Sequence, residues 1–253
     1  MAQKDLQPHL HLAEVNKFCI LCGNPDRVSR IATYVKKSEL AASNRGLIAI
    51  NGYTPNSEIP ISILTTGMGC PSTAIVVEEA VRAGAKTLIR VGSCGALKPG
   101  MKVGDVIIPY AAVRDERTSL MLAPVEFPAV ASPEVFRKLC TAATNLGISY
   151  SQGIVWTADN YYLPNPKIYK KWAECGANCV EMESSFVFIF GTVKGNQFKE
   201  PIMTGTILVV DGNLAEGTQK SEGELGDHNE IFRAGEEKAI LTTFKAIEKL
   251  AKS

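Results

Sequence analysis

The sequence predicts an α/β fold: one domain, residues 1–253, built on a central mixed β-sheet flanked by helices. Three observations carry that expectation. Short apolar, β-rich runs alternate with segments whose apolar residues recur at helical spacing. The 253 residues are 45% hydrophobic, enough for one large core. No internal repeat, low-complexity tract or linker divides the chain.

The elements follow in order. FCILCG (18–23) reads as a strand, and NPDRVSRIATYVKK opens a helix. GLIAING and IPISILTTG read as a strand pair turned by YTPNSE. In CPSTAIVVEEAVRAGA, Pro71 suits the first turn of a helix and Gly84 its C-terminal stop. TLIRVG and GDVIIPYAAV are strands again. SPEVFRKLCTAATNLG has a serine at the N-cap position, an acid in its first turn and a glycine at its end. SYSQGIVWTAD is a strand, NPKIYKKWAECG a helix, MESSFVFIFGTVKG an apolar helix and IMTGTILVVDG a fully buried strand. NEIFRAGEEKAILTTFKAIEKLAK closes the chain with apolar positions at helical spacing.

Charge and composition exclude several functions. The formal net charge is +1, so nothing suggests a nucleic-acid partner. The first stretch, MAQKDLQPHL, lacks the apolar region of a signal peptide, and no apolar run is long enough to span a bilayer. The expectation is a cytoplasmic protein with no membrane partner. Seven cysteines at irregular spacing argue against a disulfide framework. Cys19 and Cys22 form a C-x-x-C inside a strand-like run, without a second pair or nearby histidines. Buried thiols fit that context better than a redox or zinc site.

In open α/β sheets ligands gather at the carboxyl ends of strands, which selects GNPDR, TGMGCPS, GSCGAL, TADNYY and VDGNLAEG. In CGNPDRV, Gly23 frees backbone N–H groups and Arg27 sits in the first helical turn, an oxyanion cradle or else a βα turn with a surface arginine. TTGMGCPSTAI has neither the spacing of a dinucleotide fingerprint nor a P-loop lysine, so close helix–strand packing explains its glycines. In RVGSCGAL, Arg90 near a strand end needs an anion, either a ligand or an internal carboxylate. Ser93 offers a hydroxyl there, and Gly92 and Gly95 allow exposed N–H groups. In VEMESS, Glu181 and Glu183 flank Met182, where they either hold hydroxyls or a cation or stabilise a helix start. In ILVVDGN, Asp211 closes the most apolar strand, as a proton donor or a turn.

These segments, in this order, resemble the nucleoside phosphorylase family that includes hexameric purine nucleoside phosphorylases, uridine phosphorylases and 5′-methylthioadenosine phosphorylases. The matching stretches are GNPDRV, SNRG, TGMGCPSTAIVVEE, LIRVGSCGAL, VGDVIIP, EFPAVA and VEMES, spread from about His9 to Asp211. The resemblance implies a nucleoside phosphorylase fold and a pentosyl transfer. Phosphate attacks C1′ of a nucleoside and releases a free base and a pentose 1-phosphate. By family position, Gly23, Arg27, Arg90 and Ser93 hold phosphate, and Arg45 of SNRG reaches in from a neighbouring subunit. Met182 and Glu183 hold the ribose, with Glu181 behind them or at the 2′-hydroxyl. Ser93, Cys94 and Gly95 lie along the nucleoside, and a packed thiol is the simplest account of Cys94. His9 of HLHL approaches the 5′-hydroxyl across a dimer interface, with His11 as competitor. Tyr161 packs on sugar and base, and Asp211 donates the proton. Phosphate is a co-substrate, and no cofactor or metal is expected: Gly46 stands where uridine enzymes carry a glutamate that helps bind a cation. The implied assembly has a dimer as its smallest active unit and a hexamer of three dimers as its full form.

The base is harder to read. Uridine phosphorylases read uracil with a glutamine and an arginine where YYLPNPKIY shows Pro166 and Ile168. A carboxyl donor at 211 has a clear task at purine N7. Conversely, APVEFPAVA is similar to bacterial uridine phosphorylases, and NLAEG to methylthioadenosine phosphorylases. Purine is favoured, with uridine as the alternative. Two rivals remain: a nucleosidase, against which Arg27, Arg45 and Arg90 speak because water needs no such cluster, and a nucleoside-binding protein without catalysis. Asn24, in place of the family's aspartate, is expected to loosen the support of Arg27.

Overall fold

Strand β1 (Phe18–Cys22) is buried at all five positions, as an apolar run covered on both faces must be. In the computed structural model, which describes residues 8–12, 14–162, 167–218 and 227–252, it sits near the middle of a ten-stranded sheet. The other strands are β2 (Lys36–Asn44), β3 (Leu47–Tyr53), β4 (Pro60–Thr65), β5 (Thr87–Ala96), β6 (Val106–Asp115), β7 (Ala129–Val130), β8 (Tyr150–Ala158), β9 (Ala177–Glu181) and β10 (Met203–Asn213). The helices are α1 (Pro25–Ala32), α2 (Cys70–Ala83), α3 (Pro133–Asn145), α4 (Lys167–Glu174), α5 (Ser184–Phe198) and α6 (Asp227–Leu250). Pro166 and residues 219–226 lie outside the described residues.

The sheet is mixed, as expected. Strands β1, β4 and β5 pair in parallel, while β2, β3 and β4 form an antiparallel meander. Strands β5, β10, β6, β8 and β9 pair in turn, and β9 returns to β5, so five strands close on themselves. Apolar faces of α1, α3 and α6 cover one side of the sheet through Val28, Ile31, Val135, Leu139, Ile240 and Phe244. Helices α2 and α5 cover the other through Val76, Val77, Ala80, Phe186 and Phe190. The first eight residues of α5 are all buried, which is why its sequence is apolar all round.

Three expectations about elements change. The helix opened by NPDRV stops at Ala32, and KKSELAASN forms β2, an edge strand too exposed to show an apolar pattern. The short ANCVE run is β9. Most consequential, the strand through Arg90 does not end there. It continues to Ala96, because β10 pairs with it through Leu208–Gly92, Val209–Ser93 and Val210–Cys94. The glycines of GSCGAL are therefore strand residues. On its other edge, β5 pairs with β1 up to Arg90 and with β9 from Gly95. Between them, from Val91 to Cys94, that edge carries no strand partner among the described residues. The sheet thus forks in the stretch where an anion site was expected. Ser132 does stand before α3, but its hydroxyl accepts from Thr204 N (2.8 Å) and leaves the helix uncapped by a side chain.

Helix α6 lies close on the sheet at one point. A Cβ on Gly235 would stand 2.4 Å from the Gly104 carbonyl oxygen and 2.7 Å from its Cα. Backbone cannot yield as a side chain tip can, so Gly235→Ala is expected to destabilise by about 1–3 kcal/mol, the range for overpacking. Urea denaturation of the variant beside the parent protein measures this.

Candidate active site

The fork in β5 is filled by charge. Arg90 points from mid-strand into the gap with only 4% of its surface exposed. Its Nε donates to Glu181 Oε2 at 3.0 Å, and its Nη2 pairs with Glu183 Oε2 at 2.5 Å. Both glutamates are themselves 5% exposed. The guanidinium folds back over Gly92, where a Cβ would lie 2.6 Å from Arg90 Cζ. Gly92 is therefore required by the close approach of the guanidinium. The internal-carboxylate reading of Arg90 holds in this structure, and its partners are the two acids singled out for the sugar.

Each acid has a second task set by its position. Glu181 ends β9 and accepts from the N–H groups of Glu183 (2.9 Å) and Ser184 (2.9–3.0 Å), so it caps the start of α5 as the helix-dipole reading expected. Its Oε1 also accepts from the Thr157 hydroxyl at 2.7 Å. Glu183 Oε1 accepts from Gly69 N at 2.6 Å, which ties the TGMGCPS turn to the acid pair. Burial pushes the Glu183 carboxyl above its ordinary value, and neighbouring Glu181 adds to this while Arg90 pulls it back. For Arg90, burial works against the charge, but Glu183 and Glu181 hold its proton more firmly than usual. Met182 lies between the acids, half-buried, and its carbonyl accepts from the Cys70 thiol.

Arg27 is not a surface arginine. It is 5% exposed, on the first turn of α1, and its Nε donates to Glu236 of α6. Its Nη1 reaches Val91 O at 3.3 Å, on the unpaired edge of β5. Asn24 caps α1 by accepting from Asp26 N at 2.8 Å, so the support of Arg27 comes from α6 instead. Gly23 lies at the same strand end, and a Cβ there would stand 3.1 Å from Gly67 O. The Cys22 thiol sits among these charges. Burial pushes it up to about 12, and Arg27 and Arg90 offset only part of that. Cys19 is likewise buried and pushed up by burial, so the C-x-x-C pair behaves as packed thiols.

Asp211 sits at an irregularity. The pairing of β10 with β5 shifts register between Val210 and Gly212, so Asp211 bulges from the ladder, half-buried. The strand continues to Asn213, so Asp-Gly here is a bulge and not a turn. Burial pushes the thiol of Cys94 well up, as do its hydrogen bond with Cys179 and the charges of Asp211 and Glu181. This is the packed thiol expected, 3% exposed in the core. Ser93 and Gly95 flank Cys94, both half-buried. Tyr161 is 48% exposed and stacks edge-on to Tyr162.

Two residues lie apart from this cluster. Arg45 is exposed at the β2–β3 turn, in the left-handed region at φ 54°. His9 pairs through Nδ1 with the buried Glu79 at 2.7 Å. The segments that carry them are joined, because Asn44, the residue before Arg45, donates from Nδ2 to His9 O at 2.7 Å. His11 is exposed and its Nε2 lies 3.2 Å from Pro8 O.

The chain matches the family model described as "Phosphorylase superfamily" over residues 17–248. It belongs to that family, as a nucleoside phosphorylase. The phosphorylase is 35% identical over 246 residues to the guanosine phosphorylase of Halorubrum lacusprofundi, covering 96% of this chain and 99% of that protein. It is 35% identical to the uridine phosphorylase of Treponema pallidum, covering 87% and 86%. Among solved structures, it superposes on the purine nucleoside phosphorylase of Toxoplasma gondii with a TM-score of 0.87 and 33% identity, covering 100% and 99%. The uridine phosphorylase of Vibrio fischeri gives 0.86 and 31%, covering 96% of each chain. The single α/β domain with its mixed sheet is the fold these structures share. The substrates of this family are a nucleoside and phosphate, so the phosphorylase transfers a pentosyl group. No helix among the described residues is long and apolar enough to cross a membrane.

Glu236, Thr157, Glu116 and Ser185 were not singled out from the sequence. Ser185 Oγ donates to buried Glu116 at 2.9 Å, and Ser185 N to Thr157 Oγ1 at 3.0 Å, which extends the support of Glu181 outward. Only Glu236 carried a signal: an acid on the buried stripe of α6, in step with Ala239, Ile240 and Thr243. Burial alone would raise its carboxyl, but Arg30 and Arg27 bring it below its ordinary value of 4.5. Its ion pairs therefore contribute stability fully present above that value and lost as pH falls through the lowered one. Urea midpoints followed from pH 7 to pH 3 are expected to drop less steeply in Glu236→Gln than in the parent.

Proposed function

We propose that this phosphorylase acts on purine nucleosides, releasing free base and (deoxy)ribose 1-phosphate. The observation that carries the reading is Asp211, a carboxylate bulged from β10 beside Cys94 at the fork that holds Arg90, Glu181 and Glu183. The glycosidic transition state builds positive charge on the sugar and negative charge on the departing base. An anion below the sugar stabilises the first, and a proton delivered to N7 the second. In this reading Gly23, Arg27, Arg90 and Ser93 hold phosphate, where arginine forks and hydroxyls suit a dianion. Met182 and Glu183 take the ribose, Glu181 orients Arg90, and Cys94, Gly95 and Tyr161 border the nucleoside. Phosphate is the co-substrate, and no metal or cofactor enters a step. Ile168 supports the choice of purine: an aliphatic side chain packed against the cluster around Trp156, it has no polar group to offer uracil. The guanosine phosphorylase relative points the same way, while the uridine phosphorylase relatives keep uridine as the second reading.

The bond from Asn44, the residue before Arg45, to the His9 carbonyl supports a shared site. Both would reach one ligand together only from a neighbouring subunit, His9 held by Glu79 at the 5′-hydroxyl side and Arg45 at phosphate. The smallest active unit is then a dimer, within a cytoplasmic hexamer of three dimers.

Asp211→Asn is expected to lower kcat for inosine or guanosine about 10²–10⁴-fold, the usual span of general acid catalysis, with little change in phosphate KM. Phosphate-dependent base release from inosine, guanosine, adenosine, methylthioadenosine and uridine tests the base. Unchanged purine turnover in the variant, or cleavage of uridine alone, would sink the reading. Sedimentation with activity assays tests assembly: activity is expected in dimers or larger species, and an active monomer would contradict the shared site.

A further inference from the structure

The geometry points to Glu236 and Phe232 of α6 as positioning residues for phosphate, acting through Arg27. This rests on the assignment of Arg27 to phosphate made above.

Glu236 and Phe232 lie four residues apart, so they share one face of the helix. Both meet the same guanidinium. The Phe232 ring centroid is 5.9 Å from Arg27 Cζ, and Glu236 Oε1 takes the Arg27 Nε. The same carboxylate holds Arg30, through Nε at 2.6 Å and Nη2 at 3.0 Å. Glu236 side-chain exposure is 3%, so the carboxylate is buried between two cations.

Which nitrogen is engaged decides what Glu236 does. An acid that mimicked the ligand would occupy the terminal nitrogens of Arg27. Here it occupies Nε, while Nη1 lies at Val91 on the unpaired edge of β5 and Nη2 makes no hydrogen bond among the described residues. Anchoring at Nε and packing against a ring hold the plane of the guanidinium, with Nη1 at the unpaired edge of β5. A dianion meeting a fixed fork loses less freedom than one that must order a mobile side chain. Helix α6 is itself seated closely, because Gly235 lies against Gly104, whose N–H donates to Val210 O (2.9 Å), one residue before Asp211.

Charge alone makes the opposite forecast. Removing a carboxylate beside an anion site lowers repulsion and should tighten phosphate binding. The two accounts therefore separate in one measurement. With the full-length protein, Glu236→Gln is expected to raise phosphate KM about tenfold or more, the scale of a lost charge-assisted hydrogen bond. The nucleoside KM should stay within about twofold. Titration of inorganic phosphate alone, followed by calorimetry, should weaken in parallel. Phe232→Leu keeps the charge and most of the volume, and should raise phosphate KM about threefold, as loss of a cation–π contact would. It also tests the clamp if the glutamine variant does not fold. Unchanged or tighter phosphate binding in either folded variant, or equal rises in both KM values, overturns the inference. A parent protein that releases base without phosphate overturns the phosphate assignment itself and is a different result.

Discussion

The pairing of Arg90 with Glu181 and Glu183 is the constraint on which the rest of the site depends. Three ionised groups, each 5% exposed or less, must satisfy one another or cost several kcal/mol each. That requirement places β9 against the end of β5, sets where α5 begins, and fastens the TGMGCPS turn through Gly69. It also demands a glycine at 92, since the guanidinium takes the space a Cβ would need. Removing either acid would leave the buried arginine short of a partner, so the site and the fold share these residues.

Around this triad the charges balance. Arg27, Arg30 and Arg90 face Glu181, Glu183 and Glu236, all through short ion pairs. A phosphorylase must accept a dianion and a neutral sugar side by side. An array of arginines already oriented by carboxylates suits that task, because the donors are set before the ligand arrives. The raised carboxyl of Glu183 belongs to the same picture: burial disfavours its anion, and it is the acid assigned to the nucleoside in the proposed reading.

Much of this was legible in the residues. Buried strands β1, β4 and β10 announce themselves as short, largely apolar, β-rich runs, and α2 and α3 by their first-turn prolines. The candidate residues Gly23, Arg27, Arg90, Ser93, Glu181, Glu183 and Asp211 were visible because polar groups interrupt or end apolar runs. Strands β2 and β9 were not, since an exposed edge strand and a five-residue run carry too little periodicity. The glycines of GSCGAL read as lying past a strand end because local chemistry cannot report that a distant strand, β10, will pair with them.

The sequence by itself determined the alternation of strands and helices, the family, and the kinds of charge available at strand ends. Burial and periodicity are local properties, written residue by residue. Tertiary structure alone decided which charges meet: that Arg90 takes both acids of VEMES, that Arg27 is held by a helix 209 residues later, and that Asp211 bulges from its ladder. Those pairings follow from strand order and from where α6 packs, and ion-pair energy falls off too steeply with distance for any one segment to encode its partner.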